Sequence, residues 1–391
     1  MARHAHNGST RMDTRTGARP NPRTASNDEP RRGAGMQALG VIGEILLTLA
    51  VACALYVAWQ MWWTGVEAER TQLATRESAS WSAPASDGAT ARIAAPQQGD
   101  PPAQPADPGE GDLIAQLYIP RFGASWQRNI VEGVDAEQLA RHGLGHYPTS
   151  QLPGQTGNFA VAGHRAGYGE PLAYVDQLQE GDAIVIRTQD YWYVYRYTNY
   201  LITLPTDVGV VSADPSRNGA YPAADGRYVT LTTCEPRYSA TPATHRWISW
   251  GAFAYWAKVS DGIPQELAST DSATGAVTFT ASASPSPLAR LGSLAPVVAW
   301  LLVAYAVIYL AALVAWRYPV LRDIRDGVRR RPDASVYGWL MRHQPGPLPV
   351  RLTLMALLFV AASAALFQWA FPWMAANIPL LQAMSTYVAV Q

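Results

Sequence analysis

The sequence predicts a mainly β domain outside the membrane, carried by three transmembrane α-helices. Three apolar blocks, at 41–63, 294–316 and 352–371, are each close to the ~20 residues that cross a bilayer as a helix. Between the first two, residues 112–258 hold short β-branched and aromatic runs separated by turn signals, which is the composition of strands. The basic residues flank the apolar blocks, with seven Arg in 1–40 and eight in 317–351. Three crossings bring both clusters to the same side, as the positive-inside bias requires. The 391-residue chain has 30 basic and 30 acidic residues, 29 of the basic ones being Arg. This neutral total is a cancellation, because residues 64–293 carry 15 basic against 23 acidic residues. Clustering of the Arg residues in two places argues against one broad nucleic-acid-binding face, so no nucleic-acid partner is expected, and two cysteines are too few for a disulfide-stapled fold.

Taken in order, residues 1–40 lack apolar periodicity and read as a disordered, Arg-rich cytoplasmic tail. Residues 41–63 form an uncleaved signal anchor, with Glu44 near its start and Trp59, Trp62 and Trp63 at its outer edge. Residues 64–111 begin polar and helix-compatible, then turn rich in Ala, Pro, Gly and Asp, as in an extracytoplasmic linker. In the β domain, strands are expected at 113–119, 159–163, 183–188, 191–197, 228–233 and 246–256, with short helices at 136–141 and 171–178. Residues 259–293 read as a second linker, with 276–280 a candidate strand. Then come a transmembrane helix at 294–316, an Arg-rich cytoplasmic loop at 317–351, a transmembrane helix at 352–371 that meets Pro372, and a C-terminal segment at 372–391. The membrane is thus a partner, and the localisation expected is multi-pass in the plasma membrane.

The chemistry centres on Cys234. Cys53 lies within the first span, where a small apolar side chain is ordinary. Cys234 ends the run Tyr228-Val-Thr-Leu-Thr-Thr and precedes Glu235-Pro236, in a domain with no second cysteine to pair with. Taken alone, a thiol kept unpaired outside the membrane is either a buried structural cysteine or a nucleophile, and its company in the sequence favours the nucleophile. Such a nucleophile needs a proton-transfer partner and a donor for the developing oxyanion. His164, in Val161-Ala-Gly-His-Arg, follows a short strand and opens a glycine-containing loop, and Arg246 heads the alternating strand Arg246, Ile248, Trp250. His245 and Arg237 are the rival imidazole and guanidinium. The sequence has no GxxxxGK[ST] loop and no Cys/His metal cluster.

The order His164, then Thr230-Leu-Thr-Thr-Cys234, then Arg246 resembles the sortases, whose signature is a T-L-x-T-C strand. Leu117-Tyr-Ile-Pro-Arg121, Val131-Glu-Gly-Val134, Gly143-Leu-Gly-His-Tyr-Pro148 and Gly157-Asn-Phe-Ala-Val-Ala-Gly-His-Arg165 resemble most the class E sortases of actinobacteria. The resemblance spans 112–258 and leaves the outer spans uncovered. It implies an eight-stranded sortase β-barrel with Cys234 as nucleophile, His164 as general acid/base and Arg246 as oxyanion and substrate stabiliser. It also implies thioester-mediated transfer of a surface protein, cut after Thr in an LPxTG- or LAxTG-like sorting signal, to an amine of a lipid II-like peptidoglycan precursor. That reaction conserves acyl-bond energy and so needs no cofactor and no metal, which fits the absence of a phosphate-binding loop and a metal cluster. Thr232, Thr233 and His146 are the candidate substrate-lining residues. The alternatives are a pilin-polymerising sortase, against which Asp107-Pro108 is followed by Gly109 rather than by an aromatic, and a non-catalytic sortase-like scaffolding module.

Overall fold

In the computed structural model, which describes residues 33–105, 107–212, 226–238, 243–280 and 286–381, eight strands close into a barrel. They are β1 (Leu113–Tyr118), β2 (Gln127–Glu132), β3 (Leu144–His146), β4 (Gly157–Gly163), β5 (Ala183–Arg187), β6 (Tyr191–Thr203), β7 (Arg227–Glu235) and β8 (His245–Lys258). The order around the barrel is β8-β6-β5-β1-β2-β3-β4-β7, closing on β8. Two neighbour pairs are parallel, β2 with β3 and β4 with β7. Alternation along each strand sends one face inward: Ile114, Leu117, Ile130, Phe159, Val161, Ile184, Ile186, Val229 and Leu231 fill the barrel, with Tyr193 and Tyr195 among them.

The outer faces are covered too. On one side α2 (Ala136–Arg141), capped by the Asp135 carboxylate, and Val210–Val211 lie over Ala160, Ala162, Ile248 and Trp250. On the other side Tyr118, Val185, Trp192, Val194 and Ala257 pack under Ala94, Ile263 and Leu267. These last three come from segments expected to be linkers, and they are 1%, 0% and 2% exposed. Residues 80–97 and 259–280 are therefore straps bound to the barrel, joined by an Ile93–Ile263 bridge and by Gln97 paired with Trp256. The candidate strand at 276–280 is Val277–Phe279, paired with Ala268–Thr270. Polar, Pro-rich composition hid these contacts because a few well-spaced apolar residues make them.

Three helices are long and apolar enough to cross a membrane: α1 (Ala34–Ala79), α3 (Ala295–Trp316) and α6 (Leu348–Asn377). The first and last depart from the sequence-based bounds, whereas α3 lies within one residue of the expected 294–316. The first begins within the stretch read as a disordered tail, whose residues 1–32 lie outside the described ones, and continues without a break through the first third of the expected linker. The last runs past Pro372, which sits in the first turn after a π-helical step at Leu366–Ala370, where a missing N–H is tolerated. The expected 317–351 loop holds two short helices, α4 (Pro319–Arg325) and α5 (Val336–Arg342). Glu44 accepts the Val336 backbone N–H at 2.6 Å, and Thr48 and Tyr337 share a hydrogen bond of 2.5 Å. The acid inside the first span is thus paired with a helix N-terminus. At the opposite end Trp59, Trp63 and Val66 pack on Phe371 and Ala375 of α6.

Above that aromatic level α1 lies on the barrel. The Gln72 side-chain carbonyl accepts the Asn129 backbone N–H at 3.0 Å and its backbone carbonyl accepts Asn129 Nδ2 at 2.9 Å. Glu69 accepts Ser286 N and Oγ at 2.9 and 2.7 Å, and Arg70 donates to the Gly292 carbonyl at 2.6 Å, close before α3.

Candidate active site

Strand register assembles the site. Cys234 on β7 is the cross-strand partner of Arg246 on β8, so both side chains project from the same face. On the other flank β4 runs parallel to β7 with Ala162 opposite Thr232, and His164 lies two residues beyond Ala162. His164, Cys234 and Arg246 thus form one row across three neighbouring strands, on the outer face of the barrel. The row beneath is Ala162, Thr232 and Ile248, all 0% exposed, so the catalytic candidates rest on a fully buried floor. Cys234 is a free thiol of intermediate exposure at the edge of this cover.

The electrostatics follow from burial. Desolvation pushes the Cys234 thiol up, opposed by the guanidinium groups of Arg246 and Arg165. His164, 5% exposed, is pushed down to about 4 by desolvation, because the charged imidazolium loses water. At neutral pH the resting groups are therefore a thiol and a neutral imidazole. Arg246, 3% exposed, donates from Nη1 to the carbonyls of Ala243 (3.3 Å) and His245 (3.0 Å), which hold its guanidinium on the cleft side.

The rivals are directed elsewhere. His245 is one residue off the Arg246 face, exposed, and bonded to Thr244 Oγ1 at 2.9 Å. Arg237 pairs with Glu170 at 2.6 Å and lies over the rings of Tyr174 and Tyr238. Of the candidate lining residues, Thr232 is on the cleft face and shares a 3.0 Å hydrogen bond with the Tyr147 hydroxyl. Thr233 is not, because strand alternation turns it inward, where it donates to the Gly163 carbonyl at 2.7 Å. His146 is also withdrawn from the cleft. It is 2% exposed, bonded to Glu132 at 2.8 Å and to Ser150 and the Gln151 carbonyl at 3.0 Å, and stacked on Phe159.

Three residues that sequence reasoning passed over stand out. Arg165 is stacked over Trp247, paired with Glu235 and with Asp176 at 3.6 Å, and donates to the Cys234 carbonyl at 3.4 Å. Its only signal was its place after His164. Tyr168 stacks on the His164 ring with centroids 4.7 Å apart, and Tyr147 supports Thr232. Among the described residues no cluster of metal-ligating side chains occurs.

The Sortase domain model matches residues 117–254, which includes all three residues of the row. Sortase SrtE2 of Streptomyces coelicolor is 32% identical over 59% of this chain and 88% of its own length. The chain belongs to the sortase family. Sortase SrtE1 of the same organism is 33% identical over 61% of this chain, and the match spans 63% of that relative's length. Among solved structures, sortase E from Streptomyces avermitilis is 41% identical, covering 41% of this chain and 99% of that one at a TM-score of 0.37. Sortases are transpeptidases that anchor surface proteins, and the class E likeness and the closed eight-stranded barrel agree with what the motifs implied. The α3–α6 region lies outside the matched sortase domain.

Proposed function

We propose that this sortase is a membrane-anchored cysteine transpeptidase in which Cys234 attacks the Thr carbonyl of an LPxTG- or LAxTG-like sorting signal. The observation that carries the reading is the single row of His164, Cys234 and Arg246 across β4, β7 and β8. The thiol proton passes to His164 as the sulfur adds to the carbonyl, and Arg246 stabilises the oxygen on which charge develops. Collapse breaks the peptide bond after Thr, His164 returns the proton to the leaving amine, and a thioester remains on Cys234. An amino group of a lipid II-like cell-wall precursor then gives its proton to His164 and attacks the thioester. The products are an amide-linked surface protein and the free thiol. Acyl-bond energy is carried through the thioester, so the step needs no cofactor. Three apolar helices and the two Arg clusters support a plasma-membrane topology with the N-terminus cytoplasmic and the barrel outside.

The test is turnover of fluorogenic LAxTG and LPxTG peptides with an amine acceptor by the full chain. A Cys234 thioester should be found by mass spectrometry and be lost in Cys234→Ala. A folded wild-type protein that neither cleaves the peptides nor forms the adduct would refute the reading.

A further inference from the structure

The loop that carries His164 does not hold its shape by its own preferences. Gly167, Tyr168, Gly169 and Glu170 have φ of 69°, 51°, 79° and 45°, four consecutive residues in the left-handed region, two of them not glycine. At Tyr168 and Glu170 such conformations persist only where the surroundings enforce them, and here the enforcing surface is α1, at and immediately beyond its Trp59–Trp63 turn. Thr64, 2% exposed, donates its hydroxyl proton to the Gln60 carbonyl at 2.8 Å, which leaves a lone pair to accept the Tyr168 backbone N–H at 2.9 Å. One residue on, Gly65 meets Gly169 so closely that a Cβ on Gly65 would lie 3.3 Å from the Gly169 Cα. A Cβ on Gly167 would lie 3.1 Å from the Gln60 carbonyl oxygen. From the barrel side Arg128 donates to the Gly169 carbonyl at 3.1 Å. The loop is thus clamped between anchor and barrel, and its Tyr168 ring lies against His164.

We propose that the membrane anchor is a working part of the catalytic machinery, with Thr64 and Gly65 as positioning residues that set the His164 imidazole through Tyr168. The inference rests on His164 being the proton-transfer group. It makes full activity a property of the anchored chain: moving α1 off the loop releases the two unfavourable backbone conformations, at Tyr168 and Glu170, and the ring that packs on the histidine.

The experiment uses the full chain in lipid nanodiscs, with Thr64→Val, Thr64→Ser and Gly65→Leu. Two quantities are read: carbethoxylation of His164 by diethyl pyrocarbonate, followed by peptide mass spectrometry, and kcat and KM on a sorting peptide. Thr64→Val and Gly65→Leu should raise the His164 modification rate severalfold and lower kcat by about tenfold or more, since small misplacements of a reacting group are costly. KM and Cys234 alkylation should stay near wild type, and Thr64→Ser should match wild type throughout. Unchanged His164 modification in both disruptive variants would overturn the proposal, as would faster modification with unchanged kcat. A wild-type chain that shows the modification differences but turns over no peptide would support the clamp and count against the catalytic assignment.

Discussion

Thr233 tests the reasoning about strand faces, because Thr233→Val keeps its shape and removes a single interaction. The side chain is 0% exposed and its hydroxyl donates to the Gly163 carbonyl at 2.7 Å, in the residue before His164. Valine fills the same volume, so no cavity opens, while a buried carbonyl loses a donor that water cannot replace. The cost of such a loss is about 1–3 kcal/mol. For a domain of this size each kcal/mol lowers the melting midpoint by roughly 2–4 °C, so a loss of about 2 kcal/mol gives a fall of about 4–8 °C. Thr233→Ser keeps the bond and loses one methyl, worth about 0.8 kcal/mol, and should fall less. The assay is tryptophan fluorescence during heating of the full chain in detergent, at one scan rate for all variants. A Val variant melting with wild type, or a Ser variant falling as far as Val, would refute the inward assignment.

Three further outcomes are expected. His164 binds its proton more weakly in the fold, at about 4, than its ordinary 6.5, so the unfolded chain takes up more protons between these values. Stability should then fall by about 3 kcal/mol as pH drops from 6.5 to 4, a slope that His164→Asn should flatten in thermal scans at stepped pH. Arg165→Gln removes one of two guanidinium groups that favour the Cys234 thiolate, so iodoacetamide should alkylate Cys234 more slowly at neutral pH, and an unchanged rate would contradict the electrostatic reading. Gly262→Val places a Cβ about 2.1 Å from the Arg92 carbonyl oxygen at a φ of 134°, which should loosen the two straps and expose residues 80–97 to limited proteolysis. Wild-type resistance to the protease would show that the straps do not depend on this contact.

Long strands and the row of His164, Cys234 and Arg246 were legible in the sequence because their signals are local. Trp247 and Ser249 alternate with Arg246, Ile248 and Trp250, and this period-2 pattern assigned Arg246 to one face before any partner strand was known. The same rule applied one residue back would have turned Thr233 inward, since it neighbours both Thr232 and Cys234. Strand β2, Gln127–Glu132, was missed because polar residues hide its two apolar ones, and β3 because three residues carry no periodicity. His146 could not be placed, because its burial depends on Glu132, a partner on a strand not foreseen. The clamp on the His164 loop was the least legible feature. It joins Thr64 to Tyr168, 104 positions apart, through a hydrogen bond and a glycine contact that leave no pattern in either segment.

The unbroken helix from Ala34 to Ala79 fixes the height at which the enzyme works. A flexible tether of the 48 residues from 64 to 111 would let the cleft wander over roughly 35–40 Å. With α1 docked, the cleft instead stands level with the helix turn just beyond Trp63 and moves only as the whole molecule diffuses in the plane of the bilayer. The enzyme is then a gauge as well as a catalyst. Under the proposed function, a sorting signal would be cut only when the spacing between its scissile Thr and its own membrane segment matches that height, and a signal displaced by a few extended residues, at about 3.3 Å each, would pass out of register with Cys234.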